Sequence, residues 1–175
     1  FEVVRGAKAV NAPGRVTLGN LLSAVALIPG TGEYALATEV VRLPQGPGKQ
    51  VEINRNSIGR RSDFDVSLRQ LRGEVPHLGS VSLVVSWFGD DLRCGQCTVR
   101  PKVEQKTLDG VGMPWRSGGI TRAMAEEVPK VGGRSIYGGT PTDQAVIEAI
   151  VAMKAAGKDV TFYPFILMDQ LEDNS

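Results

Sequence analysis

The residues best suited to chemistry sit where two apolar runs give out. The run Ser80 to Phe88 is followed by Gly89-Asp90-Asp91-Leu92-Arg93-Cys94-Gly95-Gln96-Cys97, and the run Val160 to Met168 by Asp169. In sheets built from βα units, ligands sit at the carboxyl ends of the strands. Carboxylates placed there, Asp90, Asp91 and Asp169, can do acid/base work, take substrate hydroxyls or hold a cation. A plainer reading stands beside that one. Asp90 and Asp91 cap a turn or pair with Arg93, because Gly-Asp is ordinary turn chemistry, and Asp169 serves as a helix cap or loop residue.

Cys94 and Cys97 have redox or metal spacing. A zinc site needs about four ligands, and the sequence offers two cysteines and one remote histidine, His77. A local disulfide or a pair of free thiols fits that count best. Half a metal site shared with missing sequence, and redox catalysis, stay open; no resident metal or other cofactor is expected. Tyr137-Gly138-Gly139-Thr140 has the look of a phosphate cradle. It lacks the Gly-Lys-Ser/Thr ending of a P-loop and the three glycines of a dinucleotide fingerprint, so it reads as a tight turn into a capped helix. No Ser or Cys nucleophile has a nearby His. Trp87, Trp115, Tyr163 and Phe165 can stack on sugar rings, with core or loop packing as the default for each.

These groups need elements to hold them. Residues 1–60 read as an irregular lead-in, rich in Gly and Pro, with a possible hairpin of Leu22 to Ile28 and Tyr34 to Val41 about Pro29-Gly30-Thr31-Gly32. From Ser62 the pattern sharpens. Ser62 and Asp65 make a capping box, Phe64, Leu68 and Leu71 one helical face, and Gly73 a terminator. Ser80 to Phe88 predicts a strand buried on both sides. A long loop, Gly89 to about Arg116, reads as functional or as a docking insertion. Ile120 to Val128 predicts a helix stopped by Pro129, and Ser135 to Gly139 a short strand. Thr140-Pro141-Thr142-Asp143 opens a helix with an apolar stripe from Val146 to Met153, closed by Gly157. Val160 to Met168 predicts a second buried strand. A helix returning twice into a buried strand is the mark of βα repeats on a parallel sheet, so residues 61–175 read as α/β.

Composition sets outer limits. The 175 residues suffice for one domain, and 42% hydrophobic with 22% charged residues is ordinary for a globular protein. A net charge of +1 gives no electrostatic case for a nucleic-acid site. The longest apolar runs fall far short of the roughly 20 residues of a membrane span. The chain opens on Phe1 without Met, which reads as an excerpt of a longer polypeptide whose sheet is completed beyond Ser175.

Three stretches carry a resemblance: Val84-Val-Ser-Trp-Phe-Gly-Asp-Asp-Leu-Arg-Cys-Gly95, Tyr137-Gly-Gly-Thr-Pro-Thr-Asp143, and Val160-Thr-Phe-Tyr-Pro-Phe-Ile-Leu-Met-Asp169. They resemble the TIM-barrel-like domain of the large baseplate hub protein of gene transfer agents and related siphophages of alphaproteobacteria. Ile53-Asn-Arg-Asn56 and the helix after Ser62 resemble its entry. The resemblance implies the first part of a glycosidase-like (β/α) barrel over 61–175, incomplete at its C-terminus, behind the 1–60 lead-in. It implies a virion or phage-like particle as location, at the tail tip or baseplate. The implied partners are other tail proteins, the rest of the polypeptide and a host-envelope glycan. The implied role is a structural, host-contacting module, with a hydrolase of peptidoglycan or surface glycan as the alternative. Trp87, Asp90, Asp91, Arg93, Tyr163 and Asp169 are the candidate site residues on this resemblance. The segment taken alone is expected to lack catalytic competence and a sharp cooperative melt.

Overall fold

The structure, a computed structural model, describes residues 17–28 and 32–169. In chain order the elements are α1 (Leu18–Leu21), β1 (Ala24–Leu27), β2 (Arg42–Pro44), β3 (Gln50–Glu52), α2 (Asp63–Glu74) and β4 (Ser80–Gly89). There follow β5 (Val99–Arg100), β6 (Lys102–Val103), β7 (Arg116–Ser117), β8 (Ile120–Thr121), β9 (Glu126–Glu127), β10 (Lys130–Val131), β11 (Arg134–Ser135), α3 (Asp143–Ala155) and β12 (Asp159–Met168).

The central sheet is built on β4. β12 pairs with it in parallel along its whole length, Asp159 opposite Ser80 through Met168 opposite Gly89. The other edge of β4 is shared: β1 runs parallel to Ser80–Leu83, and β5 runs antiparallel to Phe88–Gly89. Side chains alternate across a sheet. Val81, Leu83 and Val85 therefore share one face, and all three are buried in a single cluster with Phe64 of α2 and Ala145, Val146, Ala149 and Met153 of α3. Leu68, Leu71, Ile150 and Val160 pack on its margin. Both long helices thus lie on the same face of the sheet. The Ser62 hydroxyl accepts from Asp65 N at 3.3 Å and caps α2 as its sequence predicts, though the helix runs through Gly73 to Glu74.

The expected partial barrel is not what the described residues form. The architecture is mixed α/β: one mostly parallel four-stranded sheet, four separate two-stranded pairs, and three helices, of which α1 is a single turn; no barrel is closed. The reason is strand number: β1, β4 and β12 are the parallel strands among the described residues, too few to close on themselves. Residues 90–142, between β4 and α3, fold into small β pairs, and β5 adds an antiparallel segment to β4.

Other expectations change with it. The two runs proposed as a hairpin do not pair: β1 joins β4, and Tyr34 to Leu36 lie in a turn. Asn54, 3% exposed, takes the place of a ladder. Its Oδ1 accepts from Val41 N at 2.8 Å, and its Nδ2 donates to Glu39 O at 2.9 Å. Tyr34, Leu36, Ala37 and Val41 are thereby held in the core, which draws on both sides of residue 60. Ile120 to Val128 is not a helix. Ile120 pairs back on Ser117 across Gly118-Gly119, whose φ values are 56° and 83°, a backbone that suits a two-residue hairpin. Ser135 pairs with Lys130 in β11, and the strand stops there. β12, expected to be buried on both sides, is an edge strand among the described residues: Phe162, Tyr163, Phe165 and Ile166 are 43–50% exposed. Pro164, which has no N–H to donate, is tolerated on such an edge. The expected turn residues 29–31 lie outside the described residues.

Candidate functional site

The carboxyl end of β4 shows what the predicted residues do. Asp90 Oδ1 accepts from Thr98 N at 2.6 Å, closing the connection from β4 to β5 at its neck. Asp91 holds Arg93 twice, from Arg93 N at 2.8 Å and through an ion pair with Nη2 at 2.5 Å. That guanidinium keeps the Asp91 carboxyl below its usual range. Both aspartates therefore organise one exposed loop. Cys94 is exposed and Cys97 half-buried, and both are free thiols. Trp87 lies on the core face of β4 under Gly118, where an added Cβ would meet its ring at 2.5 Å. Tyr163 points to the other face of the sheet and is half exposed.

Asp169 is elsewhere engaged. Its N donates to Gly89 O at 2.8 Å, and its Oδ2 meets Lys102 Nζ at 2.7 Å, with both side chains 9% exposed. Lys102 Nζ also reaches Glu126 Oε2 at 3.0 Å. Burial pulls the Lys102 ammonium down, but the two carboxylates outweigh it and hold it above its ordinary value. Asp169 Oδ1 is buried with no hydrogen-bond partner among the described residues.

Among the described residues, the most heavily connected polar group is one the sequence did not single out. Arg122, 4% exposed, forms a two-pronged ion pair with Glu33, which is 5% exposed. It donates to Gln105 O at 2.7 Å, to the Tyr34 hydroxyl at 3.0 Å and to Asp109 Oδ1 at 3.1 Å. Its Cζ lies 5.9 Å from the centre of the Trp115 ring, a cation–π distance. Asp109 Oδ1 also accepts from Tyr34 Oη at 2.8 Å and Trp115 N at 2.7 Å. Burial pushes Glu33 up against the pull of Arg122. Burial pushes Asp109 up too, but there the donors win and hold the carboxyl below its usual value. This network ties residues 33–34 to the loop 104–122. Its partners lie up to 89 positions apart, so no local spacing signals them.

Gly139 shows why the Tyr-Gly-Gly turn is there. A Cβ on it would meet Glu33 Cγ at 2.7 Å and Lys102 O at 3.0 Å, so the glycine lets the turn close against the network. The threonines around it fasten the long loop. Thr140 Oγ1 accepts from Lys102 N at 3.1 Å, and the Thr142 hydroxyl donates to Arg116 O at 3.0 Å. Thr142, not Thr140, occupies the cap position of α3, and its side chain makes no cap bond.

Beyond the carboxyl end of β1 lies a cleft of about 480 Å³, within the size range of small-ligand pockets. Its apolar wall includes Leu27, Ile28 and Phe64; its polar lining includes Glu33, Asp63 and Glu104, with no Lys, Arg or His among the lining residues. Asp90, Asp91 and Asp169 do not line it. No group of three or more His, Cys, Asp and Glu among the described residues is arranged to hold a metal ion.

No protein-family model matches this chain, and no curated protein does.

Proposed function

We propose that this chain is a structural module of a phage-like particle, a gene transfer agent or a siphophage, set in the tail tip or baseplate and touching the host envelope during DNA delivery. The identity rests on the three stretches that resemble the baseplate hub protein. The observation that favours a scaffold over a hydrolase is that the candidate carboxylates are already engaged: Asp90 with Thr98 N, Asp91 with Arg93, Asp169 with Lys102. A glycosidase needs two carboxyl groups facing one substrate, about 5–10 Å apart. The apolar edge strand β12 suits a module that works in contact with neighbouring tail proteins. A host-envelope glycan is the remaining partner of this reading, with the half-exposed Tyr163 as its candidate contact; Trp87 faces the core on the opposite side of the sheet, and Arg93 is held by Asp91.

Mass spectrometry of purified particles, with antibody labelling in electron microscopy, tests the proposal. The chain is expected in the particles, with label at the tail tip. Particles that transfer DNA normally without it would overturn the reading. Peptidoglycan zymography of the protein is expected to show no clearing. Clearing that Asp90→Asn or Asp169→Asn abolishes would replace the scaffold with the hydrolase.

A further inference from the structure

The connection from β4 to β5 carries two free thiols, Cys94 and Cys97. Its neck is closed by the Gly89–Val99 pairing and the Asp90–Thr98 hydrogen bond. Inside it, the Arg93 carbonyl accepts from Gln96 N at 2.8 Å and Cys97 N at 2.9 Å, winding 93–97 into one helical turn. Cys94 and Cys97 stand three residues apart in that turn. Residues so spaced share a side, with Cβ atoms about 5–6 Å apart, and a disulfide needs about 3.5–4.5 Å. A small tightening of an exposed turn closes the gap. The surroundings of the two thiols differ. Cys94 is open to solvent. Cys97 is half-buried, its Sγ 3.0 Å from the Cβ position of Gly89, a point also flanked by Ile166 Cγ2 and Met168 Sδ of β12.

We propose that Cys94 and Cys97 form a reversible dithiol–disulfide site, oxidised by exchange with a low-molecular-weight disulfide of the glutathione class. The exposed Cys94 thiolate attacks one sulfur of the reagent, whose S–S bond breaks, and one thiolate leaves and takes up a proton. The Cys97 thiolate then attacks Cys94 Sγ in the mixed disulfide. The intramolecular bond forms and the second reagent thiolate leaves. The two cysteines give up two electrons and two protons in all, and the reagent is reduced to two thiols. Cys94 is the entry thiol because it is the accessible one, and Cys97 resolves because the turn holds it within reach. The new bond fixes the turn over the carboxyl ends of β4 and β12.

Equilibrating the full chain in glutathione disulfide, then alkylating free thiols and measuring intact and peptide masses, tests this. Wild type is expected to lose two hydrogens, to protect both cysteines together and to regain both thiols with dithiothreitol. Cys97→Ser is expected to trap a glutathione adduct on Cys94, and Cys94→Ser to react more slowly. Full alkylation of both cysteines in the oxidised buffer would overturn the proposal. So would a stable glutathione adduct on wild type, or a disulfide between chains on a non-reducing gel.

Discussion

Arg122 shows how one side chain can organise distant parts of a chain. Its guanidinium donates to Glu33, Tyr34, Gln105 and Asp109 while lying against Trp115. Removing one member of a buried pair leaves the other charge uncompensated, at a cost of about 3–5 kcal/mol. Arg122→Met is therefore expected to lower stability by about that much in urea denaturation, and the double variant Glu33→Leu/Arg122→Met by less. A single variant that unfolds with the wild type would show the pair to be idle. Asp109 adds a pH dependence. Its folded carboxyl lies below its ordinary value of 3.8, so its contribution is present above that value and is lost as pH falls through the lower folded one. Stability measured between about pH 5 and about pH 2 should fall less steeply for Asp109→Asn than for wild type. Parallel curves would remove Asp109 from the account. None of this was legible in the sequence, where Arg122 fell inside the expected helix Ile120 to Val128 and Asp109 inside the long loop.

The elements divide by how local their causes are. The helix α2 was legible because its cap, Ser62, and its apolar face, Phe64, Leu68 and Leu71, lie within ten positions. β4 was legible because a β-branched run has few alternatives. The region 116–135 was misread, although a signal was present: Gly118-Gly119 and Gly132-Gly133 each sit between short segments, and both pairs adopt the positive φ that two-residue hairpins need. The glycines of the chain are not equivalent. An added Cβ at Gly73, inside α2, meets nothing within 4 Å, whereas at Gly139 it meets Glu33 and Lys102. Gly73→Ala is expected to raise stability by about 0.5–1 kcal/mol. Gly139→Ala is expected to lower it by about 1–3 kcal/mol through overpacking. Thermal melts of the two variants check this, and equal shifts would refute the close approach at Gly139.

At the scale of the whole molecule, the described residues form a sheet with one face covered by α2 and α3 and one long edge, β12, apolar and accessible. Ile147 and Val151, one turn apart on α3, are 60% and 61% exposed. Apolar surface of this kind on a sheet edge favours association. Sedimentation of the purified chain is expected to show concentration-dependent association, which Phe162→Ser/Ile166→Ser reduces with little loss of helicity. A monodisperse wild type across the same range would contradict it. The sequence by itself determined the α/β character, the helices α2 and α3, and the strands β4 and β12, because each rests on periodicity or capping within a short window. It located the loop after β4 and the residues Asp90, Asp91, Arg93, Cys94 and Cys97 inside it. Only the tertiary structure decided that the described residues close no barrel and leave β12 at the edge of their sheet, and that Asp169 pairs with Lys102 and Glu33 with Arg122. The physical reason is range. A helix is set by neighbours three and four positions away, whereas an edge, a closure or a buried ion pair depends on partners tens of positions distant, which no local pattern encodes.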